Sequence, residues 1–104
     1  MAELNINLSA SIYAKIVIDS LVVRPNTPII LDPITDSYTD YPDANLISYS
    51  LDIIEREGIT NTVLLENGKN SRFTSDGQGS CRIKLTIEDN LGNTATDEIT
   101  LYIQ

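Results

Sequence analysis

The residues best equipped for chemistry are the carboxylates of one stretch. Asp32, Asp36, Asp40, Asp43 and Asp52 fall within or beside a loop spanning residues 33–45. A hard cation such as calcium wants several oxygen ligands of this kind. Their spacing does not match an EF-hand loop. Aspartate is also a turn former in its own right, because its side chain accepts bonds from nearby backbone N–H groups. Two readings of these five residues stand side by side, a calcium site and a set of solvated turn residues, and turn formation is the leading one.

Tyr38 and Tyr41 flank the same loop. Tyrosine buries a large area at small entropic cost, so an exposed pair suits contact with a partner. A glycan platform calls for more aromatics than five tyrosines and one phenylalanine, and the chain has no tryptophan. Cys81 is the single cysteine, so no internal disulfide can form. It alternates with Ile83, Leu85 and Ile87, which marks it as a small core residue and not a nucleophile. The chain has no histidine, and so lacks the commonest general base and zinc ligand. These features predict a non-enzyme with no catalytic residues and no cofactor other than the calcium alternative. Asn7-Leu8-Ser9 matches a glycosylation sequon. Residues 1–20 lack a basic start and an unbroken apolar stretch, so no secretory signal accompanies it and the match is read as chance.

The elements that position these residues are strands. A chain of 104 residues with 41% hydrophobic content fits one folded domain and not a disordered segment. No apolar run is long enough for a membrane-spanning helix. Fifteen acidic against seven basic residues give a net charge of −8, which repels phosphate backbones and argues against nucleic-acid binding.

Period-two alternation dominates the chain. Cys81, Ile83, Leu85 and Ile87 point one way, and Arg82, Lys84, Thr86 and Glu88 the other. Asp89-Asn90-Leu91-Gly92-Asn93 reads as a tight turn. Alternation then resumes with Ala95, Ile99, Leu101 and Ile103 inward, interrupted by Asp97. Upstream, Leu46–Ile54 places Ile47, Tyr49, Leu51 and Ile53 on one face. Shorter strands are expected at Ile29–Asp32, Thr62–Glu66 and Lys69–Thr74, the last two joined by a two-residue turn at Asn67-Gly68. Ile12–Val23 carries a β-branched load that favours strand over helix. The predicted core is Cys81, Ile83, Leu85, Ile87, Ile47, Tyr49, Leu51, Ile99, Leu101 and Ile103. About seven short strands with frequent turns form the pattern of a Greek-key β-sandwich.

The N-terminus carries apolar residues at every even position from Leu4 to Ile18. Extended, that stretch would reach about 50 Å, too long for one straight strand in a domain of this size. Either the run bends around Ser9-Ala10-Ser11 or its beginning leaves the domain. Residues 1–11 are therefore read as an arm or the start of the first strand, and residues 12–104 as the sandwich. Leu4, Ile6 and Leu8 are the arm's candidate partner-binding side chains.

Three stretches resemble the polycystic-kidney-disease (PKD) domain family of immunoglobulin-like modules. They are Ser37-Tyr38-Thr39-Asp40-Tyr41-Pro42-Asp43 running into Ile47–Asp52, Gly79 leading into Cys81–Glu88, and the hairpin Asp89-Asn90-Leu91-Gly92-Asn93-Thr94-Ala95-Thr96. The resemblance implies an immunoglobulin-like sandwich that serves as spacer, adhesive unit or decoration. The expectation is a virion structural protein, a capsid decoration or auxiliary protein of a tailed bacteriophage, assembled in the host cytoplasm and displayed on the virion surface. Its partners would be a capsid or other virion protein, or copies of itself, with no nucleic acid or membrane and glycan contact as a minor alternative. The competing expectation is an adhesive or spacer module of a bacterial surface protein or secreted hydrolase.

Overall fold

The computed structural model describes residues 10–59 and 61–104. The arm residues Leu4, Ile6 and Leu8 lie outside these. Among the described residues there are nine strands and no helix. They are β1 (Ile12–Tyr13), β2 (Val22–Val23), β3 (Ile29–Leu31), β4 (Tyr38–Thr39), β5 (Leu46–Glu57), β6 (Thr62–Leu65), β7 (Ser71–Ser75), β8 (Gly79–Asp89) and β9 (Thr94–Ile103). A four-stranded sheet runs β2-β9-β8-β5, a three-stranded sheet runs β3-β7-β6, and β1 pairs with β4 alone. All pairings are antiparallel except β2 with β9.

The β8–β9 hairpin follows the alternation closely. Cys81 faces Leu101, Ile83 faces Ile99 and Ile87 faces Ala95 across the pair. Cys81, Ile83, Leu85, Ile87, Leu101 and Ile103 are all buried, because β8 lies between β9 and β5 and its inner face meets the other sheet. From that second sheet come Leu31 and Phe73, also buried, and Ala14, Ile16, Val23, Leu51 and Ile59 complete the cluster. Gly79 opens β8 at a point where only glycine fits. A Cβ there would stand 1.9 Å from the carbonyl oxygen of Glu57.

Ile47 departs from the expected core. Leu46 pairs with Asp89 and Ser48 with the adjacent Glu88, so Ile47 is an unpaired extra residue in a β-bulge. The bulge reverses the facing from Ile47 back to the start of the strand. Ile47 is 62% exposed, while Leu46 packs against the core in its place. A second irregularity between Ile53 and Glu55 leaves Ile54 unpaired and exposed in the same way. Tyr49 and Ile99 are half-buried at the core's margin.

Other differences are local. Residues 33–45 do not form one loop, since Tyr38 and Thr39 pair with Tyr13 and Ile12. The β6–β7 connection is wider than a two-residue turn, because β6 ends at Leu65 and β7 begins at Ser71. The buried Ser71 hydroxyl holds this connection, accepting the Asn67 N–H at 2.9 Å and donating to the Gly68 carbonyl at 2.8 Å.

The run from Ile12 to Val23 takes three partners in turn. It pairs with β4, then bridges to Asp32 through Val17, then joins β9 as β2. Ile12, Ala14, Ile16 and Ile18 keep their even-numbered facing toward the core, and the parity is reversed at β2, where Val23 is buried and Val22 exposed. Asp97 interrupts the inward row of β9 because its carboxylate accepts the Ile16 N–H at 2.9 Å.

Candidate interaction surface

The five candidate calcium ligands are not gathered by the fold. Asp32 turns back on its own loop, accepting the N–H groups of Ile34 (2.9 Å) and Thr35 (3.0 Å) and the Thr35 hydroxyl (2.5 Å). Burial pushes its carboxyl up, and the bonds from Thr35 and Ile34 with nearby Lys69 outweigh this, leaving its pKa below the ordinary value. Asp40 pairs with Ser11: its carboxylate accepts the Ser11 N–H, and its own N–H donates to the Ser11 carbonyl at 2.9 Å. Asp43 sits in a turn at φ 63°. Asp52 lies on the exposed face of β5 beside Ser50, and Asp36 is exposed. Among the described residues no three acidic or cysteine side chains converge as a cation's ligands. The turn-forming role is visible directly at Asp32 and Asp43.

A carboxylate that spacing alone marked only as a turn residue turns out to be the most engaged. Asp89 is fully buried at the end of β8. Its side chain accepts the Leu91 and Asn93 N–H groups, both at 2.9 Å, the Asn93 amide at 3.0 Å and the Thr39 hydroxyl at 2.9 Å. Burial raises its pKa, and the bonds from Asn93, Thr39 and Leu91 more than offset that, so the group titrates below the ordinary carboxylate range. Asp89 thereby clamps the β8–β9 turn and ties β4 to it. This is a structural role. Cys81 is likewise inert: burial pushes its thiol up to about 11, with Arg56 pulling weakly the other way.

Of the two loop tyrosines, Tyr38 is exposed and Tyr41 half-buried. Tyr38 does not partner Tyr41. Its ring lies 5.5 Å from that of Tyr13, tilted by 33°, across the β1–β4 pair. The two rings border an open depression with Lys15, Thr35, Asp36 and Ser37. Tyr13 could have been found from its odd position in a run whose even positions face inward.

The two sheets present different outer faces. That of the four-stranded sheet is polar at its centre, with Arg82 between Glu55 at 2.9 Å and Glu98 at 3.9 Å, and carries the exposed pair Val22 and Tyr102 at its β2 side. That of the three-stranded sheet is apolar around one cation. Ile30 faces Arg72, which faces Leu65 in turn. Ile30, Val63 and Leu65 are each at least half exposed.

The sheet edges differ as well. On β5 the Leu51 N–H is taken by the Glu66 carboxylate at 2.7 Å, which blocks a further strand at its centre. Arg56 donates to the Thr62 hydroxyl where β5 hands over to β6. On the opposite side, β3 is continued by the Val17–Asp32 bridge. Among the described residues β6 pairs with β7 alone, and beyond the Arg56 contact at Thr62 its strand bears exposed Val63 and Leu65. An exposed apolar edge strand is a template for another strand. The candidate surface is therefore β6 with its outer face. Residue types alone missed it because nothing in Thr62–Leu65 separates an edge strand from a central one.

No family model matches the chain, and no curated protein or solved structure matches it either.

Proposed function

We propose that this chain is a non-enzymatic, immunoglobulin-like docking module, a virion structural protein that decorates the capsid of a tailed bacteriophage through its strand edges and N-terminal segment. Two features support the sandwich reading. The strand orders β2-β9-β8-β5 and β3-β7-β6 correspond to the two sheets of such a domain. The parallel β2–β9 pairing corresponds to a first strand that switches sheets, bridging to β3's end at Val17–Asp32 before joining the last strand.

The observation that carries the docking reading is the open β6 edge, with Val63 50% and Leu65 58% exposed, beside a β5 edge closed by Glu66. A folded domain that guards one edge and leaves its apolar neighbour bare has a surface suited to strand addition or to packing on another protein.

Phage particles purified from the lysate that encodes the chain test the assignment. Quantitative mass spectrometry should find the chain in a fixed ratio to the major shell protein, and antibody labelling should place it on the capsid exterior. Absence from purified particles, or a continuous reading frame joining it to a surface protein or hydrolase, would overturn the virion assignment in favour of the adhesive or spacer reading.

A further inference from the structure

We infer that the open edge of β6 receives the N-terminal segment of a second copy of this chain, residues 4–8 adding as a fourth strand to the three-stranded sheet. The inference rests on the docking reading above and names one occupant of its surface.

The edge supplies half of the argument. β6 pairs with β7 on one side only, and Val63 and Leu65 stand two residues apart on the outer face. Ile30 and the stem of Arg72 continue that face across the sheet. An added strand lies about 4.8 Å away and must repeat the two-residue spacing to extend the face.

The sequence supplies the other half. Leu4, Ile6 and Leu8 alternate with Asn5, Asn7 and Ser9. Three apolar side chains on one face would lie alongside Val63 and Leu65, burying both sets. Charge permits this match. The chain carries −8 overall, yet Glu3 is the only charged side chain in residues 1–9, and the receiving face carries Arg72. A neutral segment beside a cation escapes the repulsion that two acidic surfaces would meet.

A neighbour is the natural recipient. β1, where the segment joins the domain, packs chiefly on β4 and β9. Nine residues precede the described chain, and extended they reach about 30 Å, enough to cross to an adjacent molecule. The contact joins two different surfaces, so it closes when two copies exchange segments or when several form a ring.

The test uses the full chain in sedimentation equilibrium from micromolar to millimolar concentration, with circular dichroism to confirm folding. The full chain should associate as concentration rises. Leu65→Lys at the edge and Ile6→Asp in the segment should each weaken association by at least about tenfold. Val63→Lys serves as the edge variant if Leu65→Lys does not fold. Mixing the edge variant with Ile6→Asp should restore a heterodimer, because one partner retains the segment and the other the edge. A full chain that stays monomeric at all concentrations overturns the inference, as does association indifferent to both substitutions or a mixture that remains monomeric. Particle binding by a chain that never self-associates would overturn this inference alone. Self-association without particle binding would remove the virion assignment and leave the inference standing.

Discussion

Ile47 and Leu85 lie on neighbouring paired strands, and simple alternation assigns both to the core. The bulge between Leu46 and Ser48 separates them. Truncating either to alanine removes three carbons, worth roughly 0.8 kcal/mol each when fully buried, or about 2.4 kcal/mol. Leu85 is 0% exposed and sits opposite Leu51 in the centre of the four-stranded sheet, so its full transfer term is lost. A cavity then opens in a neighbourhood of paired strands that cannot collapse freely, which brings the expected cost to about 3–5 kcal/mol. Ile47 is 62% exposed, leaving little more than a third of the transfer term and no enclosed cavity. Its truncation should cost about 1 kcal/mol or less. Urea denaturation followed by circular dichroism reads both. With a slope of about 1–3 kcal/mol per molar, Leu85→Ala should move the midpoint by about 1–5 M and Ile47→Ala by about a third of that or less. Equal shifts, or a loss above about 2 kcal/mol at Ile47, would refute the bulge and return Ile47 to the core.

Asp89 should make stability pH-dependent. Its folded pKa lies below the ordinary 3.8, so its contribution is fully present above the unfolded value and disappears as pH falls through the folded one. The stability difference between the wild type and Asp89→Asn should be flat from about pH 5 upward and shrink below 3.8; a difference that does not change with pH would contradict the clamp. The Cys81 thiol, raised to about 11 by burial, should resist a disulfide reagent at mildly alkaline pH and react stoichiometrically once denaturant is added. Rapid labelling of the native protein would show that β8 is not buried as described. Gly79→Ala should destabilise by about 1–3 kcal/mol or more, since its Cβ meets the Glu57 carbonyl and backbone must move. A neutral result in thermal denaturation would mean that β5 and β8 are not so closely apposed there.

The legible parts of the fold were those where one strand's own pattern decides the matter. β8 and β9 read directly from Cys81, Ile83, Leu85, Ile87, Leu101 and Ile103, because a strand with one buried face must alternate. Ile47 was misread because a bulge is a property of the pair: the step from Asp89 to Glu88 on β8, not a residue of β5, sets it. Asp97 was visible as an interruption, but its partner, Ile16, is 81 residues away, and no local pattern can supply that. The two-residue strand at Tyr38-Thr39 lies among aspartates and prolines and exists through pairing with Ile12 and Tyr13. The candidate surface was the least legible. Nothing in Val63, Leu64 and Leu65 says which of them turns to the core, or that β6 stands at the end of its sheet.

The parallel pairing of β2 with β9 gives the domain a direction in which it is hard to pull apart. The Leu21 carbonyl accepts the Tyr102 N–H and the Val23 carbonyl accepts the Gln104 N–H, both at 2.8 Å. Because the two strands run the same way, tension entering ahead of β2 and leaving after β9 slides them along their common axis. These bonds lie across that axis and are loaded together, whereas a hairpin drawn open from its ends would part them one after another. Force borne along the chain therefore meets this seam after the short β1–β4 pair and the Val17–Asp32 bridge ahead of it, and before the β8–β9 hairpin or the core behind it is loaded.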